Sequence, residues 1–303
     1  MLKKLKSNFK FLFFGASYWI KRFILRQNIP FIGGYVLNES CNLNCSHCQV
    51  ASNSHDSDPS FEQAMNGIDM LYNKGARLLA ITGGEPFYWN NHREKQLEEL
   101  IIEAKRKGFR RVNVYTNGTF PLESSADTIF VSLDGRRDTS KKLRGDIYDK
   151  VMTNINNSSH ENIIINFTIN ALNYQEVEPF CLEIAQNPKI KGVFYYFHTP
   201  YYGRDELFVD FELKRKIIDL LLDMKKRKLP VFNSKSALKA VYNDSWNRPT
   251  NFCQVYANGQ VIDCCRAYKN KDACDNCGYL GYVEVGQIMK LHPSAILGGF
   301  KYI

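Results

Sequence analysis

No uncharged apolar stretch in this 303-residue chain is long enough to cross a bilayer. The run near the start, Phe11 to Ile20, is about half of the ~20 residues a spanning helix needs, and it meets Lys21-Arg22 at once. A small-residue cleavage site is missing too, so no signal peptide is expected. Internal repeats and low-complexity tracts are absent, which excludes solenoids and a disordered chain. No phosphate-binding loop, Ser-His-Asp arrangement or paired-carboxylate site stands out, leaving no case for those chemistries. Acidic residues are missing from residues 1–38, which hold Lys3, Lys4, Lys6, Lys10, Lys21, Arg22 and Arg26; removing these seven from the net +9 leaves +2. The basic balance is therefore local, and a nucleic acid partner is not expected.

What is present suits an ordinary globular protein of one or two domains, with 44% apolar residues. Apolar residues at 2, 5, 9, 12, 13, 16, 20, 23 and 24 recur at helical spacing, predicting a basic amphipathic helix over 2–26. Such a helix either packs on the protein's own core or lies in a membrane interface. From 33 to about 229, short apolar runs alternate with longer amphipathic ones, the pattern of a parallel sheet covered by helices. Strands are predicted at Gly34–Asn38, Leu78–Thr82, Arg111–Thr116, Thr128–Asp134, Ile163–Asn170 and Gly192–His198. Helices are predicted at 60–74, 93–108, 138–156, 174–187 and 210–228. Six such units are too few for a closed eight-stranded barrel, so the expected fold class is α/β, a partial (β/α)6 TIM-like barrel. We divide the chain into the N-terminal helix (1–30), the barrel (31–245) and a small cysteine-rich extension (246–303).

Nine cysteines could mark a secreted disulfide framework, but their clustering argues for a reducing compartment. Cys264 and Cys265 are adjacent, an awkward bridge, and the first group is odd in number. That first group, Cys41-x3-Cys45-x2-Cys48, directly follows the first strand. Soft thiolates select zinc or iron–sulfur clusters. Three of them leave one iron of a cubane without a protein ligand, whereas structural zinc would need a fourth donor, for which His47 is the near choice. Each further motif sits where a strand ends and loops meet. These are Gly83-Gly84-Glu85-Pro86, Thr116-Asn117-Gly118, Ser132-Leu133-Asp134-Gly135, Leu143-Arg144-Gly145, Asn170 and His198. Taken singly, most read as turns.

The cysteine loop, its place after the first strand and the Gly-Gly-Glu loop after the second resemble the radical S-adenosylmethionine (radical SAM) superfamily. The resemblance implies a [4Fe-4S] cluster on Cys41, Cys45 and Cys48, with S-adenosyl-L-methionine chelating the open iron. It implies cofactor contacts for His47, where relatives carry an aromatic, and for Gly83, Gly84, Glu85, Asn117 and Asn170. It also places Ser132 near the methionine carboxylate, Asp134 near the ribose and Arg144 as carboxylate partner. A flavodoxin- or ferredoxin-type electron donor is implied with them.

Near the C-terminus, Cys253-x5-Gly259-x4-Cys264 reads as a hairpin turning at Asn258-Gly259, and Cys274-x2-Cys277 adds two thiols. Four thiolates can close either a cluster or a zinc site. The arrangement resembles the Twitch and SPASM extensions of radical SAM enzymes, implying a second [4Fe-4S] cluster on Cys253, Cys264, Cys274 and Cys277, with Cys265 as spare or replacement. The leading expectation is hydrogen abstraction from a lipid-like or other membrane-associated substrate, motivated by the N-terminal helix. Alternatives are maturation of a ribosomally made peptide, other small-molecule chemistry, and a non-catalytic metal-binding scaffold. A cytoplasmic location is expected, with peripheral attachment to the inner face of the membrane if the helix serves that purpose.

Overall fold

A computed structural model of the chain describes residues 13–48, 58–89, 96–265, 267–268 and 270–299. Strand β1 (Ile32–Val36) begins a series of parallel strands, β2 (Leu78–Thr82), β3 (Arg111–Thr116), β4 (Thr128–Ser132), β5 (Ile163–Ile169) and β6 (Ile190–Phe197). In the sheet they lie in the order β6-β5-β4-β3-β2-β1, each beside its chain neighbour. Alternation drives this: Val112, Val114 and Thr116 of β3 are buried on one side, while Arg111, Asn113 and Tyr115 lie on the other. The sheet is curled. Tyr115 and Tyr196, from strands three places apart, bring their hydroxyls within 3.4 Å over the concave side.

Between the strands run α1 (Phe61–Asn73), α2 (Leu97–Lys107), α3 (Arg137–Arg144), α4 (Tyr148–Asn157) and α5 (Val177–Ile184), followed after β6 by α6 (Phe211–Lys226). Ser60 and Gln63 cap α1 reciprocally. Gly108, at φ 118°, stops α2 behind three basic residues. The helix expected over 138–156 is instead two helices, because Gly145 adopts φ 90° and ends α3. That break leaves Arg144 at the end of α3, beside the cysteine loop. The helix expected at 174–187 opens with a tight turn at Tyr174–Glu176 before α5, and β1 starts two residues earlier than expected.

The extension holds the expected hairpin, β7 (Cys253–Ala257) and β8 (Gln260–Asp263), whose turn residues Asn258 and Gly259 both take positive φ. It does not stand apart from the sheet: β7 pairs in parallel with β1, so the sheet runs to eight strands ending at β8. Among the described residues, α7 (Lys235–Tyr242) precedes the hairpin and α8 (Lys271–Asp275), α9 (Leu280–Met289) and α10 (Pro293–Gly299) follow it, none of which sequence pattern predicted. A signal for α7 existed, since Ser234 caps it by accepting from Ala237 N.

Residues 13–24 are helical, widening in the last turn; residues 2–12 of the expected helix lie outside the described residues. Tyr18 is buried against Phe31, Cys253, Val285 and Met289, and Trp19 Nε1 donates to Met289 O. Phe13, Ile20, Ile24 and Leu25 are exposed. The helix thus packs on the core by one side and shows an apolar strip on another. Among the described residues no helix is long and apolar enough to cross a membrane.

Candidate metal centre

Leu37 N, just past β1, donates to Thr82 O and carries the ladder one residue further before the chain turns toward Cys41. Asn38, nearly fully buried, then braces the turn: its Nδ2 reaches Ser40 O (3.0 Å), Ser40 Oγ (2.8 Å) and Glu85 O (3.0 Å). Against this turn lies the Gly83-Gly84 loop. A Cβ on Gly84 would sit 2.2 Å from Ser40 O and one on Gly83 2.4 Å from Asn38 Oδ1, so only glycine permits the approach. Gly84 N and Glu85 N donate across it to Asn38 O and Ser40 O.

Glu85 is fully buried, and its carboxylate accepts from Phe87 N (3.0 Å), Thr116 Oγ1 (2.8 Å) and Asn117 N (2.6 Å). Burial raises its pKa to about 7, against the pull of those donors and of Arg144. In this structure it ties the end of β2 to the end of β3. Asn117 passes the brace on, with its Nδ2 2.9 Å from Asn42 Oδ1 and 3.8 Å from Cys41 Sγ. Leu43 N also points at Cys41 Sγ, at 3.4 Å.

The other side of the loop meets α3. Ser46 N donates to Leu143 O, and Arg144 Nη1 lies 4.0 Å from Cys45 Sγ. Arg144 Nε donates to Asp134 Oδ2 at 2.6 Å, and His47 Nε2 lies 3.2 Å from the same oxygen. Thr168 N donates to Asp134 Oδ1. Burial alone would raise the Asp134 pKa; the Arg144 guanidinium and His47 outweigh it and hold the carboxyl at about 2. The structure therefore brings His47, Asp134, Arg144 and Cys45 into one buried group.

Ser132 closes β4 and is partly exposed. Asn170 is fully buried in a turn, accepting from Leu172 N while its own N–H donates to Asn173 Oδ1. Asn173 in turn donates to Asp134 O and Thr168 O. His198, buried, pairs with Asp205 at 2.9 Å. Asn38, Asn42, Asn173, Asp205 and also Asp58, which accepts from Ser40 Oγ at 2.7 Å, escaped sequence reasoning, since a single Asn or Asp in a turn carries no motif.

The terminal cysteines divide differently. Cys253 is buried in the apolar cluster around Tyr18, while Cys264, Cys265, Cys274 and Cys277 line one small cavity with Tyr201 and Tyr279. Cys264, at φ 65°, ends the hairpin ladder by donating its N–H to Cys253 O. Cys265 raises the pKa of Cys253, Cys264, Cys274 and Cys277 alike, with burial the larger cause for all but Cys264. Among the described residues no three His, Cys, Asp or Glu side chains converge closely enough to hold a single metal ion.

The residues of the first loop nonetheless fit an iron–sulfur cluster by their chemistry. Burial pushes the Cys41 thiol to about 11 and raises Cys45, so thiolates there need a cation to compensate them. N–H donors already aim at both sulfurs, the hydrogen bonding that suits cluster thiolates. Cys48 is exposed, so one side of the loop is open.

Residues 35–180 match the family model described as Radical SAM superfamily. The chain is 32% identical over 205 residues to the Fe-coproporphyrin III synthase of Methanosarcina barkeri, covering 62% of this chain and 49% of that protein. It is 33% identical over 102 residues to the antilisterial bacteriocin subtilosin biosynthesis protein AlbA of Bacillus subtilis, covering 33% and 21%. It thus spans about half the length, or less, of these curated relatives. Its fold is similar to Streptococcus suis SuiB bound to precursor peptide SuiA, with TM-score 0.64 and 15% identity over 88% of this chain and 67% of that one. With the cysteine loop seated at the end of β1 in this fold, residues 35–180 form a radical SAM domain.

Proposed function

We propose that the chain is an enzyme that cleaves S-adenosylmethionine reductively and abstracts hydrogen from a carbon of a ribosomally made peptide. The observation that carries the first half is the loop bearing Cys41, Cys45 and Cys48, braced by N–H donors at two sulfurs and open at Cys48. Cys41, Cys45 and Cys48 would hold a [4Fe-4S] cluster there, which would supply the electron for reductive cleavage of S-adenosylmethionine when fed by a flavodoxin- or ferredoxin-type donor. The chain's own part is orientation and exclusion of water. Asn117 and Arg144 hold the sulfurs in place, and Asp134 fixes Arg144. Ser132 closes β4 and Thr168 is next to last in β5.

The peptide half rests on relatives. SuiB has been seen with its precursor peptide, and AlbA serves bacteriocin biosynthesis. The lipid reading keeps one observation in its favour, the exposed strip of Phe13, Ile20, Ile24 and Leu25 beside Lys21 and Arg22. The test is anaerobic: cluster-loaded protein with reductant forms 5′-deoxyadenosine, and Cys45→Ala does not. Deuterium then passes to 5′-deoxyadenosine from a deuterated peptide encoded beside the gene. Transfer only from a lipid extract or from a porphyrin sinks the peptide reading and leaves the cofactor chemistry standing.

A further inference from the structure

Lys214, on the first turns of α6, is 8% exposed, and among the described residues its side chain has neither an ion pair nor a hydrogen bond; its ammonium lies over the Phe197 ring at 5.3 Å. Burial pulls its pKa down and Arg248 adds to that, while Cys277 and Asp244 act in the opposite direction without restoring it. It lines a cavity of 270 Å³ between α6, the end of α7 and the Cys274–Cys277 turn. The acids of that cavity are engaged elsewhere. Asp210 caps α6 by accepting from Leu213 N, Asp244 pairs with Arg248 at 2.7 Å, and Asp275 pairs with Lys271. Arg204 at the rim is exposed, lies over Phe208 at 4.8 Å and has no carboxylate partner among the described residues. Besides Arg248, which Asp244 pairs, two cations without an ion pair among the described residues thus face the cavity, buried Lys214 and exposed Arg204, with Phe208, Phe211 and Val241 as apolar wall.

We propose that this cavity binds a carboxylate carried on a short aliphatic stem, with Lys214 as counter-charge at the floor and Arg204 guiding it at the rim. Taking the peptide reading above as its premise, the occupant is a glutamate side chain of the bound peptide. An ammonium can donate to one carboxylate at that depth, and the stem's methylenes then lie against the phenylalanine rings. A neutral amide of the same shape leaves the ammonium unpaired and gains nothing from it.

Calorimetric titration of the anaerobically prepared full chain tests this with three probes: N-acetylated, C-amidated Gly-Gly-Glu-Gly-Gly, its Gln counterpart, and glutarate. The Glu peptide is expected to bind at least tenfold more tightly than the Gln peptide. That advantage disappears in Lys214→Met and shrinks in Arg204→Met. Equal binding of the two peptides, or an advantage that survives Lys214→Met, overturns the site. Glutarate binding more tightly than the Glu peptide overturns the peptide occupant in favour of a free dicarboxylate. Lys214→Met removes a buried charge without a partner and keeps the stem, so it should melt no lower than the parent; Lys214→Gln repeats the test should it fail to fold. Because binding is read without turnover, failure of hydrogen transfer from peptides is a separate result.

Discussion

The two cysteine groups sit in opposite kinds of surroundings. Around Cys41, Cys45 and Cys48 the neighbours are polar and each is held by another: Asn38, Glu85, Asn117, Arg144 and Asp134 form a connected brace across the ends of β1 to β5. Around the terminal thiols rings and aliphatics prevail, Tyr18, Tyr201, Tyr279 and Met289, with Thr199 and Arg248 the polar members, and burial governs Cys253, Cys274 and Cys277 but not Cys264. The contrast follows from what a thiolate needs. A site that keeps one side open to a small molecule must hold its sulfurs by donors supplied from the fold. Thiols enclosed by apolar side chains remain neutral until a metal compensates them.

The severest way to break this comparison is Asp134→Asn. It leaves the Arg144 guanidinium buried without its counter-charge, a loss of about 3–5 kcal/mol in denaturant unfolding of the metal-free chain. The isosteric Cys265→Ser in the second group should cost far less; equal losses would erase the distinction drawn here.

Glu85 offers a pH test of the same brace. Its folded pKa of about 7 lies above the ordinary 4.5, so the folded state holds the proton longer than the unfolded one. Stability is therefore fullest below about 4.5 and falls as pH rises toward 7, by about 3 kcal/mol at 1.36 kcal/mol per unit. Melting temperatures of the metal-free chain between pH 5 and 8 should show this slope, and Glu85→Gln should flatten it. A slope unchanged in that variant assigns the titration to another group.

Gly84→Ala comes next, at about 1–3 kcal/mol, because a Cβ there must displace the Ser40 carbonyl. Iron bound at the first loop should fall as well, counted as the difference from a Cys41→Ala, Cys45→Ala, Cys48→Ala blank. The smallest effect is Tyr18→Phe, which removes a 2.7 Å bond to Ile29 O and costs about 1 kcal/mol. A larger loss would mean that the N-terminal helix anchors the terminal cysteines more firmly than its packing suggests.

Spacing located the motifs, while their roles came only from the family resemblance. The Cys-x3-Cys-x2-Cys loop and the motifs at the strand ends were legible because alternation places β2 and β3 to the residue and the loops follow at once. The helix over 138–156 was misread because Gly145 breaks a periodicity that otherwise continues past it. The brace itself was not legible. Asn38 and Glu85 are 47 positions apart and Arg144 and Cys45 are 99 apart, and no local pattern links them.

Composition and period decided that this chain would build strand–helix units with thiols at their mouth, since backbone geometry and burial depend on neighbours within a few residues. Which oxygen each donor serves, which cysteines share a cavity, and that β7 would lie beside β1 were decided only when distant segments packed, because burial and charge pairing are properties of the assembled interior.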